Sequence, residues 1–394
     1  MASIRANVNP ELLAWARRTA GLTLEDAARK INNVSPDRLS AWEEGADRPT
    51  VKQLYKIAEV YKRPLGTFFL SELPKDFTIP RDFRRLPGEV AGAYSPALLR
   101  QIRFAEERRG IALELFEELG DMAPEVTLSA TLDEDPDRVA QRIRKMLGVT
   151  FAEQLSWRDP QRYRPLKNWR SRIEQAGILV FQVIDVDPME MLGFSFAEPV
   201  LPVIAINRRL RPNGRIFTML HEFVHLTLYQ SGLCDLDEEA FRPPEEQRIE
   251  VFCNRVAGAA LVPSADLVGD EVVSRYPAAA RDWSEVEIKA LAHRFSVSRE
   301  VIVRRLLIVG RTSELFYKAK RAEYQDQLRR DQEKEEGSGG PESRATRAIS
   351  TLGPSFIRLV LEGYYQQRIT LSEVAGIIGE RVKWLPEIEQ KVAV

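Results

Sequence analysis

Apolar positions near the start of the chain recur every three or four residues, which is the period of an α-helix. Two of the predicted helices, residues 24–31 and 36–44, are short and are separated by only a few residues. Thr23 and Ser35 stand immediately before them, and hydroxyl side chains are favoured at the N-cap of a helix. Because two short helices joined by a tight turn are typical of a helix-turn-helix, the pattern predicts such a domain over residues 1–72.

Beyond this domain the pattern changes to a linker and then to a mixture of helices and strands. A linker with prolines is predicted at residues 73–94, and a long amphipathic helix follows at residues 95–120. Runs of branched apolar residues predict three strands, at residues 178–183, 193–196 and 200–207. Pro202 lies within the last strand, which is therefore expected at a sheet edge or a bulge, because proline cannot donate to a sheet ladder.

The end of the chain is predicted to be helical again. Pro263 ends one helical stretch, and a pair of helices follows up to residue 312. Residues 313–341 are charged and end in a glycine-rich run, which indicates a linker. Residues 342–394 form a tail with two amphipathic helices, for which docking, dimerisation and autoinhibition are all open roles.

The chain contains three histidines, and two of them, His221 and His225, lie four residues apart in a predicted helix. Residues at this spacing share one face of a helix, so both imidazoles can bind a single metal ion. Glu222 follows the first histidine and can lie beside a water at the metal as its general base. The remaining histidine, His293, falls on a polar stretch and is interpreted as a surface residue.

A catalytic zinc site needs a third protein ligand and one open position. Glu250 is the candidate, because it is a lone carboxylate in an apolar helical stretch and a buried carboxylate needs a partner. Asn254 lies one turn further on the same face and is expected to orient a ligand or a substrate carbonyl. Cys234 and Cys253 could also bind zinc, but two histidines and a glutamate suffice, so both are interpreted as small buried thiols. These residues predict a zinc hydrolase.

The same segments resemble the ImmA/IrrE family of metallo-endopeptidases. In that family Arg-x-Phe-Thr precedes the histidine pair, as residues 215–218 do here, and a second helix ends in a sequence similar to residues 260–263. The resemblance covers residues 155–310 and departs from the family pattern at Val256 and Cys253, which are packing positions. It implies a zincin-like fold, zinc held by the two histidines and the glutamate, and cleavage of a repressor-type protein at one site.

Residues 39–50 resemble the XRE (Cro-type) repressor family, whose helix-turn-helix binds a DNA operator. The charge of this domain is modest, because residues 1–70 hold 11 Lys/Arg against 8 Asp/Glu, a net charge of +3, and DNA affinity depends largely on phosphate neutralisation. A protein-binding or dimerisation role therefore stays open. The residues expected at DNA lie on the second helix and in a basic stripe near it: Arg38, Asp37, Ser40, Arg17, Arg18, Arg48 and Lys52.

The predicted edge strand suggests how a protein substrate would be held. An extended peptide can add to a free sheet edge through backbone hydrogen bonds, which would hold its scissile carbonyl at the metal. Zincins that resemble this chain place a substrate-binding edge strand beside the metal helix. Val203, Ile204 and Ala205 are therefore expected to dock the substrate, although the same edge could serve only to limit aggregation.

Composition narrows the class of protein further. The 394 residues are 44% hydrophobic, and the net charge is −1. The first residues lack the apolar core of a signal peptide, and no apolar run approaches the ~20 residues that span a membrane. Two cysteines do not make a disulfide framework. We expect a cytoplasmic protein without membrane contact.

Together these patterns predict a mostly helical α+β fold with a five-helix repressor-like domain, a zincin-like domain at residues 95–312 that contains a small sheet, and a helical C-terminal region. We interpret the chain as a zinc endopeptidase fused to a DNA-binding domain, which cleaves a repressor-type protein, or itself, to control transcription. The alternative is a DNA-binding or antitoxin-like regulator whose zinc site is structural or silent. Glu222 favours the enzyme, because a structural site has no use for that base. A homodimer is compatible with both interpretations.

Overall fold

The computed structural model describes residues 4–32, 34–74, 81–82, 94–157, 163–229, 232–234, 244–335 and 342–392. Most of the predicted 73–94 linker and the glycine-rich end of the predicted 313–341 linker lie outside these residues, as does the side chain of Cys234. The chain divides into two compact units. The first comprises Met1–Ile79 and Gly88–Glu107, and the second comprises Pro80–Pro87 and Arg108–Val394.

The described part of the first unit begins with the helices α1 (Pro10–Thr19), α2 (Leu24–Ile31), α3 (Pro36–Glu43) and α4 (Val51–Tyr61), followed by a 3-10 helix at Leu65–Phe69. Thr23 Oγ1 accepts a hydrogen bond from the backbone N–H of Asp26, and Ser35 Oγ accepts one from Arg38, so both predicted caps are present. The last helix of the expected five-helix domain is thus a short 3-10 helix. The core of this unit includes Leu12, Leu39, Ile57 and Phe68.

The boundary between the two units falls inside the long helix α5 (Pro96–Leu119). The further helices and strands are β1 (Arg81–Asp82), α6 (Pro136–Met146), α7 (Phe151–Ser156), α8 (Tyr163–Gln175), β2 (Leu179–Val183), β3 (Gly193–Phe196), β4 (Val203–Asn207), α9 (Pro212–Thr227), β5 (Gly232–Cys234), α10 (Pro244–Leu261), α11 (Ser264–Val268), α12 (Glu285–Phe295), α13 (Arg299–Ile308), α14 (Glu314–Glu335), α15 (Arg344–Leu352), α16 (Pro354–Tyr365), α17 (Leu371–Ile378) and α18 (Leu385–Val392). The predicted mostly helical α+β fold is confirmed. No helix in the described ranges is both long and apolar enough to cross a bilayer.

Within the described residues, the strands form one sheet in the order β1-β5-β3-β4-β2. β4 pairs in parallel with β2 and antiparallel with β3, so Ile204 lies opposite Val180 on one side and Ser195 on the other. The predicted edge position of this strand is wrong. Pro202 precedes the first residue of the strand, where its missing N–H costs no ladder hydrogen bond, and its carbonyl accepts from Leu179 N–H at 2.9 Å.

This position of β4 also corrects the proposed substrate strand. Val203, Ile204 and Ala205 are fully buried, and neighbouring strands pair with β4 on both sides. A peptide cannot add to a strand whose two edges are occupied, so these three residues are not the docking line for a substrate.

The C-terminal region is part of the second unit. Phe356 of α16 packs edge-to-face on Phe181 of β2, with ring centroids 5.7 Å apart. The guanidinium of Arg170 on α8 forms a buried ion pair with Glu174 and donates to the carbonyl of Ser350 on α15. The described residues 342–392 of the predicted tail therefore include helices that are anchored on the sheet and on α8.

The predicted linker at residues 313–341 contains the 22-residue helix α14. Its aromatic residues explain why it folds, since Tyr324 is buried in the main core of the unit while Phe316 and Tyr317 pack against that core. Arg299 of α13 stacks over the Tyr324 ring at 4.4 Å. The high charge of this segment obscured its apolar positions in the sequence, and the linker prediction is wrong for the part of α14 that packs through Phe316, Tyr317 and Tyr324.

Candidate metal centre

The helix α9 is buried on almost every side, which places its polar side chains inside the protein. Pro212 occupies the first turn, where a missing N–H is tolerated, and the apolar residues of the helix pack into the core of the second unit. His225 and Glu222 have no exposed surface, and His221 is 5% exposed. Buried ionisable groups need partners, so this helix must face a charged or polar neighbour.

That neighbour is α10, which brings Glu250 to both histidines. The Nε2 atoms of His221 and His225 lie 3.1 Å apart. Glu250 Oε2 lies 3.4 Å from Nε2 of His221, and Oε1 lies 3.2 Å from Nε2 of His225. Ligands that bind a tetrahedral zinc at about 2.0–2.1 Å are separated by roughly 3.3–3.4 Å. The three side chains therefore fit a single zinc ion.

The electrostatics of the cluster are consistent with cation binding. Burial lowers the pKa of His221, but the carboxylates of Glu250 and Glu222 outweigh burial and raise that pKa above its ordinary value. Burial raises the pKa of Glu250, but His221 and His225 outweigh it and hold the pKa well below its ordinary range. An ionised carboxylate thus lies beside both imidazoles and raises the pKa of His221, and the same negative charge would favour a bound cation.

Asn254, one turn after Glu250 on α10, contacts the other side of His221. Its Oδ1 lies 2.9 Å from Nδ1 of the imidazole. An amide oxygen only accepts, so Nδ1 carries the proton in this pair, and the lone pair of a neutral ring is then on Nε2. The contact therefore selects the tautomer whose Nε2 can bind a metal.

Cys253 is a second candidate for the third ligand. A ligand atom from each of Cys253, His221 and His225 lies within 4.8 Å of the others, and the thiol is buried. Burial, followed by the charges of Glu250 and Glu222, raises the pKa of this thiol, which favours the neutral form. The carboxylate oxygens of Glu250 lie 3.4 and 3.2 Å from the two imidazoles, and the carboxylate is ionised, so Glu250 is the more suitable third ligand.

The sequence interpretation missed one contact of the candidate base. Ser195 on β3 donates its hydroxyl hydrogen to Glu222 Oε2 at 2.9 Å, and both residues have no exposed surface. The signal was present in the predicted strand at residues 193–196, where Gly193 and Ser195 alternate with two phenylalanines. Small and polar residues on one face of a buried strand indicate that this face meets something other than an apolar core.

Comparison with known proteins identifies the segments that carry these features. Residues 173–307 match the family model of the IrrE N-terminal-like peptidase domain, and residues 13–68 match a helix-turn-helix model. The chain carries an IrrE-like domain and a helix-turn-helix domain. The radiation response metalloprotease IrrE of Deinococcus deserti is 36% identical over 95 residues, which are 24% of this chain. Those residues span about a third (33%) of the length of that relative.

The IrrE-like domain contains all the candidate metal ligands. His221, His225 and Glu250 fall within the matched range, as do Glu222 and Ser195. The predicted resemblance to this family, and to helix-turn-helix repressors at the N-terminus, is confirmed. The match supports a metallopeptidase domain in which these residues are the natural candidates for metal binding.

The helix-turn-helix domain places its predicted DNA-contacting residues in different environments. Arg17 forms a bidentate ion pair with Glu43, at 2.8 and 2.9 Å, and also donates to the carbonyl of Leu22. Its side chain is only 14% exposed and ties α1 to α3. The hydrogen bond with Glu43 raises the pKa of Arg17, so the charge is retained and paired internally. The prediction that Arg17 contacts DNA is wrong, because its guanidinium is used to hold α1 against α3.

The second helix of the helix-turn-helix, α3, carries mixed charge on its accessible side. Arg38 is 41% exposed, lies 3.7 Å from Asp47 and stacks over Trp42 at 5.5 Å. Ser40 donates to Glu44 at 2.7 Å, which leaves its hydroxyl engaged within the helix. Asp37, Arg18, Arg48 and Lys52 are exposed. Arg38 and these exposed residues remain the candidates for DNA contact.

Proposed function

We propose that this chain is a zinc-dependent endopeptidase whose IrrE-like domain is coupled to a DNA-binding helix-turn-helix. The observation that carries the proposal is the cluster of His221, His225 and Glu250. The two Nε2 atoms lie 3.1 Å apart, and each lies 3.2–3.4 Å from one carboxylate oxygen of Glu250. These separations suit a tetrahedral zinc with one position left for water or substrate. Glu222, on the same helix as the histidines, supplies the base that a structural zinc site would not need.

The reaction follows from the positions of these side chains. Zinc in this site would make a water acidic and would polarise the scissile carbonyl. Glu222 takes a proton from the attacking water as the water oxygen bonds to the carbonyl carbon. It then gives that proton to the amide nitrogen as the carbon–nitrogen bond breaks. Asn254 holds His221 in the metal-binding tautomer throughout.

The helix-turn-helix domain supports a regulatory role for the proteolysis. A peptidase that shares a chain with a DNA-binding domain can act on transcription directly, by cutting a repressor-type protein or its own chain. We propose such a protein as the substrate and a DNA operator as the second partner. Arg38, Arg18, Arg48 and Lys52 would supply the contacts to bases and phosphates.

The substrate can be found by sequencing new N-termini. The zinc-loaded chain and a chelator-stripped control are incubated with a peptide library prepared from the host proteome, and the full-length chain is followed separately for self-cleavage. We expect zinc-dependent cleavage restricted to one or a few sequences. Zinc binding without any zinc-dependent new N-terminus would contradict the endopeptidase and would favour a DNA-binding regulator with a silent site.

The operator can be found by selection from random duplex DNA with the full-length chain. We expect a selected sequence whose affinity falls steeply with salt, because phosphate neutralisation releases counterions. Arg38→Ala should weaken binding by roughly 1–3 kcal/mol if Arg38 reads a base. Selection of no sequence, with no salt-dependent binding, would indicate that the domain docks proteins instead.

A further inference from the structure

The strand β3 presents two adjacent positions to the candidate catalytic glutamate. Alternate residues of a strand share a face, so Gly193 and Ser195 point to the same side. On that side the Ser195 hydroxyl donates to Glu222 Oε2 at 2.9 Å. Both side chains are fully buried, which removes water as a competing partner and strengthens the hydrogen bond.

Gly193 also faces the carboxylate of Glu222, and its lack of a side chain leaves space for that group. A Cβ atom added at Gly193 would lie 2.8 Å from Glu222 Oε1 and 2.6 Å from the Cγ2 atom of Thr218. Both distances are shorter than carbon atoms tolerate, so the side chain of Glu222 occupies space that any larger residue at position 193 would need. β3 therefore donates a hydrogen bond to one oxygen of the carboxylate, and the absence of a side chain at Gly193 leaves room for the other.

We propose that β3 is the positioning element for the general base, with Ser195 as the positioning residue and Gly193 as the gap that admits the carboxylate. This inference rests on the proposed function of Glu222. A glutamate side chain has three rotatable bonds, so a base on α9 alone would sample several positions. A neutral hydroxyl restricts that motion while reducing the basicity of the carboxylate less than a cation would.

The kinetic test is Ser195→Ala in the zinc-loaded full-length chain, with the selected peptide as substrate. We expect kcat to fall between about 10- and 100-fold, since a misplaced catalytic group loses rate steeply, while KM and zinc content stay at wild-type values. In the Glu222→Gln background the same substitution should have no further effect. An unchanged kcat, or an equal loss in both backgrounds, would overturn the proposal.

A matched control separates positioning from the general cost of removing a buried hydroxyl. Thr227 on α9 is also buried, and its hydroxyl donates to the backbone carbonyl of Val224 and not to Glu222. Thr227→Val should leave kcat within about twofold of wild type. Ser195→Thr, which keeps the hydroxyl, should recover most of the rate lost in Ser195→Ala. Equal losses in Thr227→Val and Ser195→Ala would point to a structural role.

Crystal structures of the zinc-loaded wild type and Ser195→Ala variant test the positioning without any cleavage assay. We expect one Glu222 rotamer against β3 in the wild type and a displaced or split carboxylate in the variant. A Glu222 that keeps its rotamer in Ser195→Ala would overturn the proposal even in an active enzyme. If the rotamer depends on Ser195 but no peptide is cut, the positioning stands and the endopeptidase proposal fails.

Discussion

The Nδ1 atom of His221 and the Oδ1 atom of Asn254 lie 2.9 Å apart, and this hydrogen bond links α9 to α10 on the side of the imidazole away from Glu250. Groups that hold a metal-binding histidine typically contribute 10- to 100-fold in metal affinity. Asn254→Ala should therefore weaken zinc binding by about 10- to 100-fold, measured by competition with a chelator. Arg255→Ala, at the exposed next position, is the control and should bind zinc as the wild type does. Equal affinity for Asn254→Ala and wild type would show that the tautomer needs no support from Asn254.

Two substitutions on α10 distinguish the two candidates for the third zinc ligand, Glu250 and Cys253. Glu250→Ala should lose most of its zinc during dialysis, because it removes one of the three converging ligand atoms. Cys253→Ala should retain about one zinc per chain, since burial raises the pKa of this thiol and zinc binds the thiolate. Elemental analysis of both variants after dialysis measures the zinc content per chain. Zinc retained by Glu250→Ala and lost by Cys253→Ala would exchange the two roles.

Zinc affinity should depend on pH through His221. Burial lowers the pKa of this imidazole, but Glu250 and Glu222 raise it overall above its ordinary value near 6.5. Zinc binds only the unprotonated ring, so below the raised pKa each zinc must displace a proton. Affinity should therefore rise about tenfold per pH unit from pH 6.5 until it passes that pKa, and then level off.

Chelator competition at a series of pH values measures this dependence. Glu222→Gln removes one of the charges that raise the pKa of His221, so its curve should level off at a lower pH than that of the wild type. A wild-type affinity that is already constant below pH 6.5, or identical curves for the two proteins, would contradict the electrostatic account of the site.

Arg17 and Arg18 are adjacent in sequence but should behave as different classes of residue. Arg17→Ala breaks a mostly buried bidentate pair with Glu43 and should destabilise the helix-turn-helix by roughly 1–3 kcal/mol. Arg18→Ala, at an exposed position, should leave stability unchanged and reduce the salt dependence of DNA binding. Hydrogen exchange of α1 to α3 in the full chain measures the first effect. Unchanged protection in Arg17→Ala would return Arg17 to the DNA-contacting residues.

The helices of the helix-turn-helix and of the metal centre could be predicted from the sequence, because the caps and apolar spacing that define each helix lie within its own segment. α2 was expected at residues 24–31 and begins and ends at those residues, since its N-cap and apolar spacing lie within the segment itself. The face shared by His221 and His225 follows from helical geometry alone. Glu250 could be nominated because an isolated carboxylate in an apolar helix requires a partner.

The order of the strands could not be predicted, because it depends on pairing between distant segments. β4 is interior only because β3 turns back along one side of it and β2 lies on the other. Pro202 suggested an edge, and nothing in the local sequence shows that the strand starts one residue later. The contact of Ser195 with Glu222 is equally nonlocal, since it depends on how β3 packs against α9.

The central claim is that Glu222 is the general base of a zinc peptidase, and the most direct measurement compares zinc-loaded wild type with zinc-loaded Glu222→Gln on the same cleavage site. Both proteins should contain about one zinc per chain, because Glu222 is not assigned as a ligand. The variant should cut at least about 100-fold more slowly, as expected when general-base catalysis is lost. Cleavage at the wild-type rate by a fully zinc-loaded Glu222→Gln would contradict the account.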